Sequence, residues 1–195
     1  RAGLGSPTAG PARMAMPPPH TGASRLFLAI WPDAGCRACL RAHRDAWRWP
    51  AGAAPVAPQR LHLTLHFIGN VSRDRVAGLA AALQVPFEPF HIPFGVPHSW
   101  PGGLAVLCPQ DLPAGLRSLH AALADALQAF GLPVERRDFR PHVTLARKAA
   151  GAEPPVCALG FRWPVAGYVL MESVPGAEYR LVRSYGVHPA SSRPD

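Results

Sequence analysis

Apolar and polar residues alternate along RLHLTLHFIGN, Arg60 to Asn70, and again along FRPHVTLARK, Phe139 to Lys148. Successive side chains of a strand point to opposite faces, so both stretches are predicted strands. In the first, Leu61, Leu63, Leu65 and Phe67 share an apolar side, and His62, Thr64 and His66 share the other. Apolar residues at helical spacing predict three helices. The first is capped by Asp33 and runs to about Trp49; the second starts at Ser72 and uses Val76, Leu79, Ala80 and Leu83. The third carries Leu112, Leu116, Leu119, Leu123, Leu127 and Phe130, and Gly131 ends it. Further strands are predicted at Arg25 to Trp31, Phe90 to Pro97 and Leu104 to Pro109, the last two around the turn Pro101-Gly102-Gly103. Phe161 to Ser173 and Glu178 to His188 read as a closing hairpin across Pro175-Gly176. Several of these turns are too short for parallel crossovers, which points to an α+β fold with antiparallel sheets.

The two alternating strands are copies of one pattern: His62-Leu63-Thr64-Leu65 returns as His142-Val143-Thr144-Leu145. Each copy has an arginine two residues before its histidine, Arg60 and Arg140, on the same predicted face, and each follows a helix and a proline-containing connection. A duplicated pattern implies a bilobal fold, two antiparallel sheets facing a central cleft with the helices outside. On this reading residues 24–190 form a single domain of two pseudo-symmetric lobes, and 191–195 are a tail. Residues 1 to about 23, rich in Gly, Pro, Ala and Ser, read as a disordered extension in which Met14 and Met16 offer natural starts.

Composition narrows the function classes. With 48% hydrophobic and 16% charged residues in 195, the chain is neither disordered throughout nor a coiled coil. The longest apolar runs, such as LFLAIW, fall well short of the roughly 20 residues that span a bilayer. The N-terminus lacks the apolar core of a signal peptide, so a reducing cytoplasm is the expected setting and no membrane partner is expected. A net charge of +8, mostly arginine, favours a polyanion, nucleic acid above all. Cys36 and Cys39 have half-zinc-site spacing, but Cys108 and Cys157 stand alone without a histidine at ligand spacing. Ordinary thiols on a helix are the expectation, and no metal or other cofactor is expected. Nine histidines leave a metallohydrolase as one rival, although no H-E-x-x-H is present; a non-catalytic RNA-binding module is the other.

With RLFLAIWP near its start, LHLTLHFIG and FRPHVTLAR, and a late YRLV strand after VLMESVPGAE, the sequence resembles the 2H phosphoesterases, named for two His-x-Thr/Ser-x motifs. Within them it is most similar to the bacterial RNA 2′,3′-cyclic phosphodiesterases, historically called 2′-5′ RNA ligases. The resemblance covers roughly Arg25 to His188. It implies metal-independent opening of an RNA 2′,3′-cyclic phosphate end to a 2′-phosphomonoester, with His62 as proton donor, His142 as proton acceptor, and 2′-5′ ligation as the related reaction. The implied partner is an RNA or oligonucleotide with a 2′,3′-cyclic phosphate end, and a monomer is the expected state.

The residues fit such chemistry without a metal. Histidine, with an unperturbed pKa of about 6.5, serves as acid or base near neutral pH, although the sequence leaves the two roles unassigned between His62 and His142. Thr64 and Thr144 are placed to donate hydroxyls to non-bridging phosphate oxygens, stabilising charge in the transition state. Arg147 is a phosphate-binding candidate on condition that the strand end bends, since strict alternation turns it away from His142. Arg60 and Arg140 are substrate-binding candidates by face, with a solvated rim as their alternative. Phe27 is a candidate to flank the cleft for base stacking. No role is assigned to His66, and His43 and His120 are expected on helix surfaces.

Overall fold

The computed structural model describes residues 22–156 and 160–186. The expected extension, Cys157 and His188 therefore lie largely or wholly outside the described residues. Asp33 caps the first helix, α1 (Ala34–Asp45), through Oδ1, which accepts the Cys36 N–H at 2.7 Å. The helix stops short of Trp49 because the chain turns there to stack Trp47 on Trp49, ring centroids 5.2 Å apart. Helix α2 spans Arg73–Ala82, and α3 spans Ala114–Ala129 with Leu116, Leu119, Leu123 and Leu127 buried.

The strands are β1 (Ala23–Ile30), β2 (Ala54–Pro55), β3 (Leu63–Ser72), β4 (Phe90–Trp100), β5 (Leu104–Pro109), β6 (Val143–Arg147), β7 (Phe161–Val165), β8 (Gly167–Glu172) and β9 (Arg180–Gly186). The fold is α+β. Its strands pair antiparallel in the order β7-β4-β5-β6-β3-β1-β8-β9, with β2 on β6. Two separate sheets were expected; the hydrogen-bonded path is instead continuous. Its join is minimal, however, a single pair between Leu63 and Val143. Those residues are equivalent in the two motif copies, and an antiparallel pair of equivalent residues sets a local two-fold axis between them. Each arm carries the same unit, a strand, a helix and then the motif strand: β1-α1-β3 on one side, β5-α3-β6 on the other.

Two strand expectations need correcting. Phe161 to Ser173 is not one strand but β7, which joins β4, and β8, which joins β1 and β9. The break falls next to Gly167, where a Cβ would lie 2.2 Å from the Tyr185 carbonyl oxygen, so close approach of β9 requires glycine. Because only Ala166 separates two strands near opposite ends of the sheet order, the sheet must curl to bring them together. The motif strands also begin later than the alternation suggests, at Leu63 and Val143. Arg60 ends a 3₁₀ turn (Pro58–Arg60), and Pro141, with no N–H for a ladder, precedes β6.

Helices α1, α2 and α3 bury one sheet face in a single apolar core that includes Leu28, Leu40, Leu63, Leu79, Leu123, Val143 and Leu170. Tyrosine hydroxyls tie α2 to the sheet: Tyr168 donates to the Leu83 carbonyl and Tyr185 to the Ala80 carbonyl, both at 2.8 Å. The opposite face is left to line a cleft.

Candidate active site

Both motif strands bulge at the same place. Leu28 pairs with His66 and Ala29 with Thr64, so β3 carries Leu65 as an extra residue against β1. Val106 pairs with Thr144 and Ala105 with Ala146, so β6 carries Leu145 as an extra residue against β5. One extra residue slips the alternation by one. His62 and Thr64 face the cleft, Leu65 and His66 are both buried, and Phe67 returns to the cleft side, 59% exposed. Likewise His142 and Thr144 face the cleft, Leu145 and Ala146 are buried, and Arg147 returns. The bulge thus supplies the bend on which Arg147 depended.

Three histidine assignments need correcting, the first because of the bulge. His66 does not share a side with His62: it is 5% exposed and its Nε2–H donates to the His120 carbonyl at 2.9 Å. Its ring stacks on His120, which stacks in turn on Phe139, with centroids 4.0 and 3.9 Å apart. These two histidines are packing elements, and His120 is half-buried, not a free helix-surface group. His43 is fully buried on α1.

His62, Thr64, His142, Thr144, Arg60 and Arg147 line one cleft of about 790 Å³. His62 Nδ1 lies 2.7 Å from the Arg60 carbonyl oxygen and His142 Nδ1 lies 2.7 Å from the Arg140 carbonyl oxygen. A carbonyl accepts only, so Nδ1 carries the proton in both rings and Nε2 is the free nitrogen. Burial pushes His62 down to about 4, with Arg60, His142 and Arg147 adding to the shift and the carbonyl bond opposing it. Burial also lowers His142, helped by Arg137 and Arg147 and opposed by its carbonyl bond. Arg147 acts on both imidazoles and lines the same cleft.

The model of the 2′-5′ RNA ligase superfamily matches residues 32–165, which include both motif strands. The chain belongs to this superfamily. An RNA 2′,3′-cyclic phosphodiesterase of Thermus thermophilus is 32% identical over 163 residues, 76% of this chain and 81% of the relative. One from Escherichia coli is 33% identical over 147 residues, 73% of this chain and 81% of the relative. The crystal structure of E. coli LigT in apo form matches with a TM-score of 0.76 at 26% identity, covering 87% of this chain and 100% of LigT.

Against this superfamily background the cleft adds residues that the sequence did not single out. Trp31 stacks on His62, centroids 5.1 Å apart and planes 11° apart, while Tyr179 meets the same imidazole edge-on at 5.5 Å. Phe27, a candidate from sequence, is tilted against it at 5.2 Å. Among the described residues His142 has one such neighbour, Trp100, at 4.5 Å. Arg60 does reach the cleft, its guanidinium 4.5 Å above the Tyr179 ring. Arg140 does not: its carbonyl orients His142, whereas Arg25 and Arg137 supply further charge to the lining. Arg140 was placed by alternation in a segment that is not a strand. Trp31 and Trp100 carried a signal in the sequence as aromatics ending a strand beside a proline, but only their pairing with the histidines gives it meaning.

Elsewhere the chemistry is quiet. Burial and the Asp33 carboxylate push the Cys36 thiol up to about 12, which removes it as a nucleophile at neutral pH. Among the described residues no three His, Cys, Asp or Glu side chains converge as a metal-binding group, and no described helix is long and apolar enough to cross a membrane.

Proposed function

We propose that this protein opens RNA 2′,3′-cyclic phosphate ends to 2′-phosphomonoesters by acid–base catalysis between His62 and His142, without a metal. The observation that carries the reading is the pair of imidazoles, each from one motif copy, lining one cleft with Nδ1 committed to a carbonyl and Nε2 free. The names of the Thermus and E. coli relatives support the substrate class.

In the proposed step, His142 Nε2 takes a proton from water as its oxygen bonds to phosphorus. The bond from phosphorus to the 3′-oxygen breaks, and His62 Nε2–H protonates that oxygen. Thr64, Thr144 and Arg147 hold the non-bridging oxygens. Among the described residues three aromatic rings pack around His62 and one meets His142, which holds each imidazole in place; the donor role of His62 is carried over from the family pattern. Burial holds both imidazoles below their ordinary value, and an anionic phosphate between them raises their proton affinity. A ribose 5′-hydroxyl in the place of water would yield a 2′-5′ linkage by the same exchange. Both histidines come from one chain, so a single copy in the cytoplasm carries a complete site.

Incubation with a nucleoside 2′,3′-cyclic phosphate in excess chelator tests this, with the product isomers resolved. Full hydrolysis to the 2′-monophosphate is expected. Loss of activity in chelator would move the chemistry to a metal, and the 3′ isomer would reverse the leaving group.

A further inference from the structure

Sheet register carries the cleft face beyond the reacting groups. Thr64 on β3 lies opposite Ala29 on β1, Ala29 opposite Val169 on β8, and Val169 opposite Ser184 on β9. A parallel row runs Phe67, Phe27, Met171, Leu181. Residues paired across antiparallel strands project from the same face. The two rows therefore extend the floor on which Thr64 stands outward by three strand spacings, about 14 Å. At their far end is a second cavity of about 450 Å³, within the range of about 300–1,000 Å³ usual for small-molecule sites. Its floor is Val169, Met171, Leu181 and Ser184, and residues 163–167 at the closure of the curl form one wall. Residues 30–33 also line it, and among them Trp31 is the ring that stacks on His62. Trp31 thus touches both the second cavity and the His62 imidazole of the cleft.

We propose that this second cavity binds the nucleobase of the penultimate nucleotide, next to the one that carries the cyclic phosphate. The inference rests on the reading under Proposed function. Charge sorts the two cavities: Arg25, Arg60, Arg137 and Arg147 line the cleft, whereas Asp33 is the one ionisable group among the described residues lining the second cavity. The phosphates of an RNA end are drawn to the arginines and kept from the carboxylate. A base is neutral, has flat faces that stack on indole and aliphatic surface, and in three of four cases offers an exocyclic amine to an acceptor such as Asp33. Phe27, Phe67 and Tyr179 line the cleft itself and are left for the terminal base, the one attached to the reacting ribose. The neighbouring nucleotide is the part of the substrate that reaches past Trp31.

The test compares kcat/KM on three substrates: a nucleoside 2′,3′-cyclic phosphate, a dinucleotide ending in the same cyclic phosphate, and that dinucleotide with its first base removed. The expected result is a preference of about 10- to 100-fold for the intact dinucleotide over the other two, the size of one stacked base. Leu181→Glu and Leu181→Gln, at an exposed position on β9, should both erase the preference while mononucleotide turnover persists. The uncharged variant separates lost apolar contact from repulsion of phosphate. Equal rates on the intact and base-less dinucleotides would overturn the subsite and leave the function standing. Equal loss on the mononucleotide in both variants would also overturn it, assigning the cavity to the terminal base. No turnover of any substrate would remove the function and the subsite together.

Discussion

His62 and His142 each give the Nδ1 proton to a carbonyl two residues back, Arg60 and Arg140, and the shared device fixes both tautomers. The consequence is visible in pH dependence. The reaction needs one imidazole protonated and the other neutral, and kcat/KM reports the free enzyme. Burial and the neighbouring arginines lower both rings below their ordinary value, His62 to about 4, so the pair holds its one proton only on the acid side of about pH 6.5. The kcat/KM profile should peak below that pH and fall about tenfold per unit above it, while kcat, measured with the phosphate bound, should fall at higher pH. Arg147→Ala removes a cation that acts on both rings, and should carry the falling limb upward. A kcat/KM that rises to pH 8 would contradict the arrangement.

At the scale of elements, the two bulges decide which side chains meet the substrate. The motif, its recurrence, the histidines and the threonines were legible in the sequence because His-x-Thr alternation needs only two residues of regular strand. What lay beyond Leu65 and Leu145 was not legible, since an inserted residue leaves no mark in the pattern while reversing every later face. For that reason His66 was assigned to the wet face and Phe67 to the core, and Arg147 could only be placed conditionally. The continuation of β3 past Asn70 to Ser72 was hidden in the same way. Gly69 has a φ of +83° and sits at a second register shift opposite β1, so a residue that reads as a strand stop is a bulge within the strand. Arg140 was misplaced for the converse reason, alternation applied where the chain is not extended. The two arginines should separate by mutation. Arg147→Ala should cost about 10²-fold in kcat/KM, the usual loss for a charge-stabilising donor, while Arg140→Ala should stay near wild type because its side chain does not line the cleft.

At the scale of the whole molecule, antiparallel α+β architecture followed from turn lengths, and the helix-covered core from periodicity. The single sheet did not, because a join of one residue pair, Leu63 with Val143, has no sequence signal of its own. Packing also enlists histidines that the sequence placed at the surface. His43 is fully buried with neither ring nitrogen hydrogen-bonded to any described residue, and burial lowers it, His66 and His120. An unfolded chain takes up those protons below about pH 6.5 while the folded chain resists, so stability is full above that pH and declines beneath it. Tm should be lower at pH 5 than at pH 7.5, by a margin that shrinks in His43→Phe. The central claim, that one half of the chain supplies the acid and the other the base of a single step, is tested most directly by a double-mutant cycle on turnover with RNA binding measured alongside. His62→Ala and His142→Ala should each lower kcat by about 10²–10⁴-fold. The double variant should be little worse than either, and RNA affinity should stay near wild type because the arginines supply it. A His142→Ala protein with full turnover, or a double variant whose loss is the product of the single losses, would contradict the account.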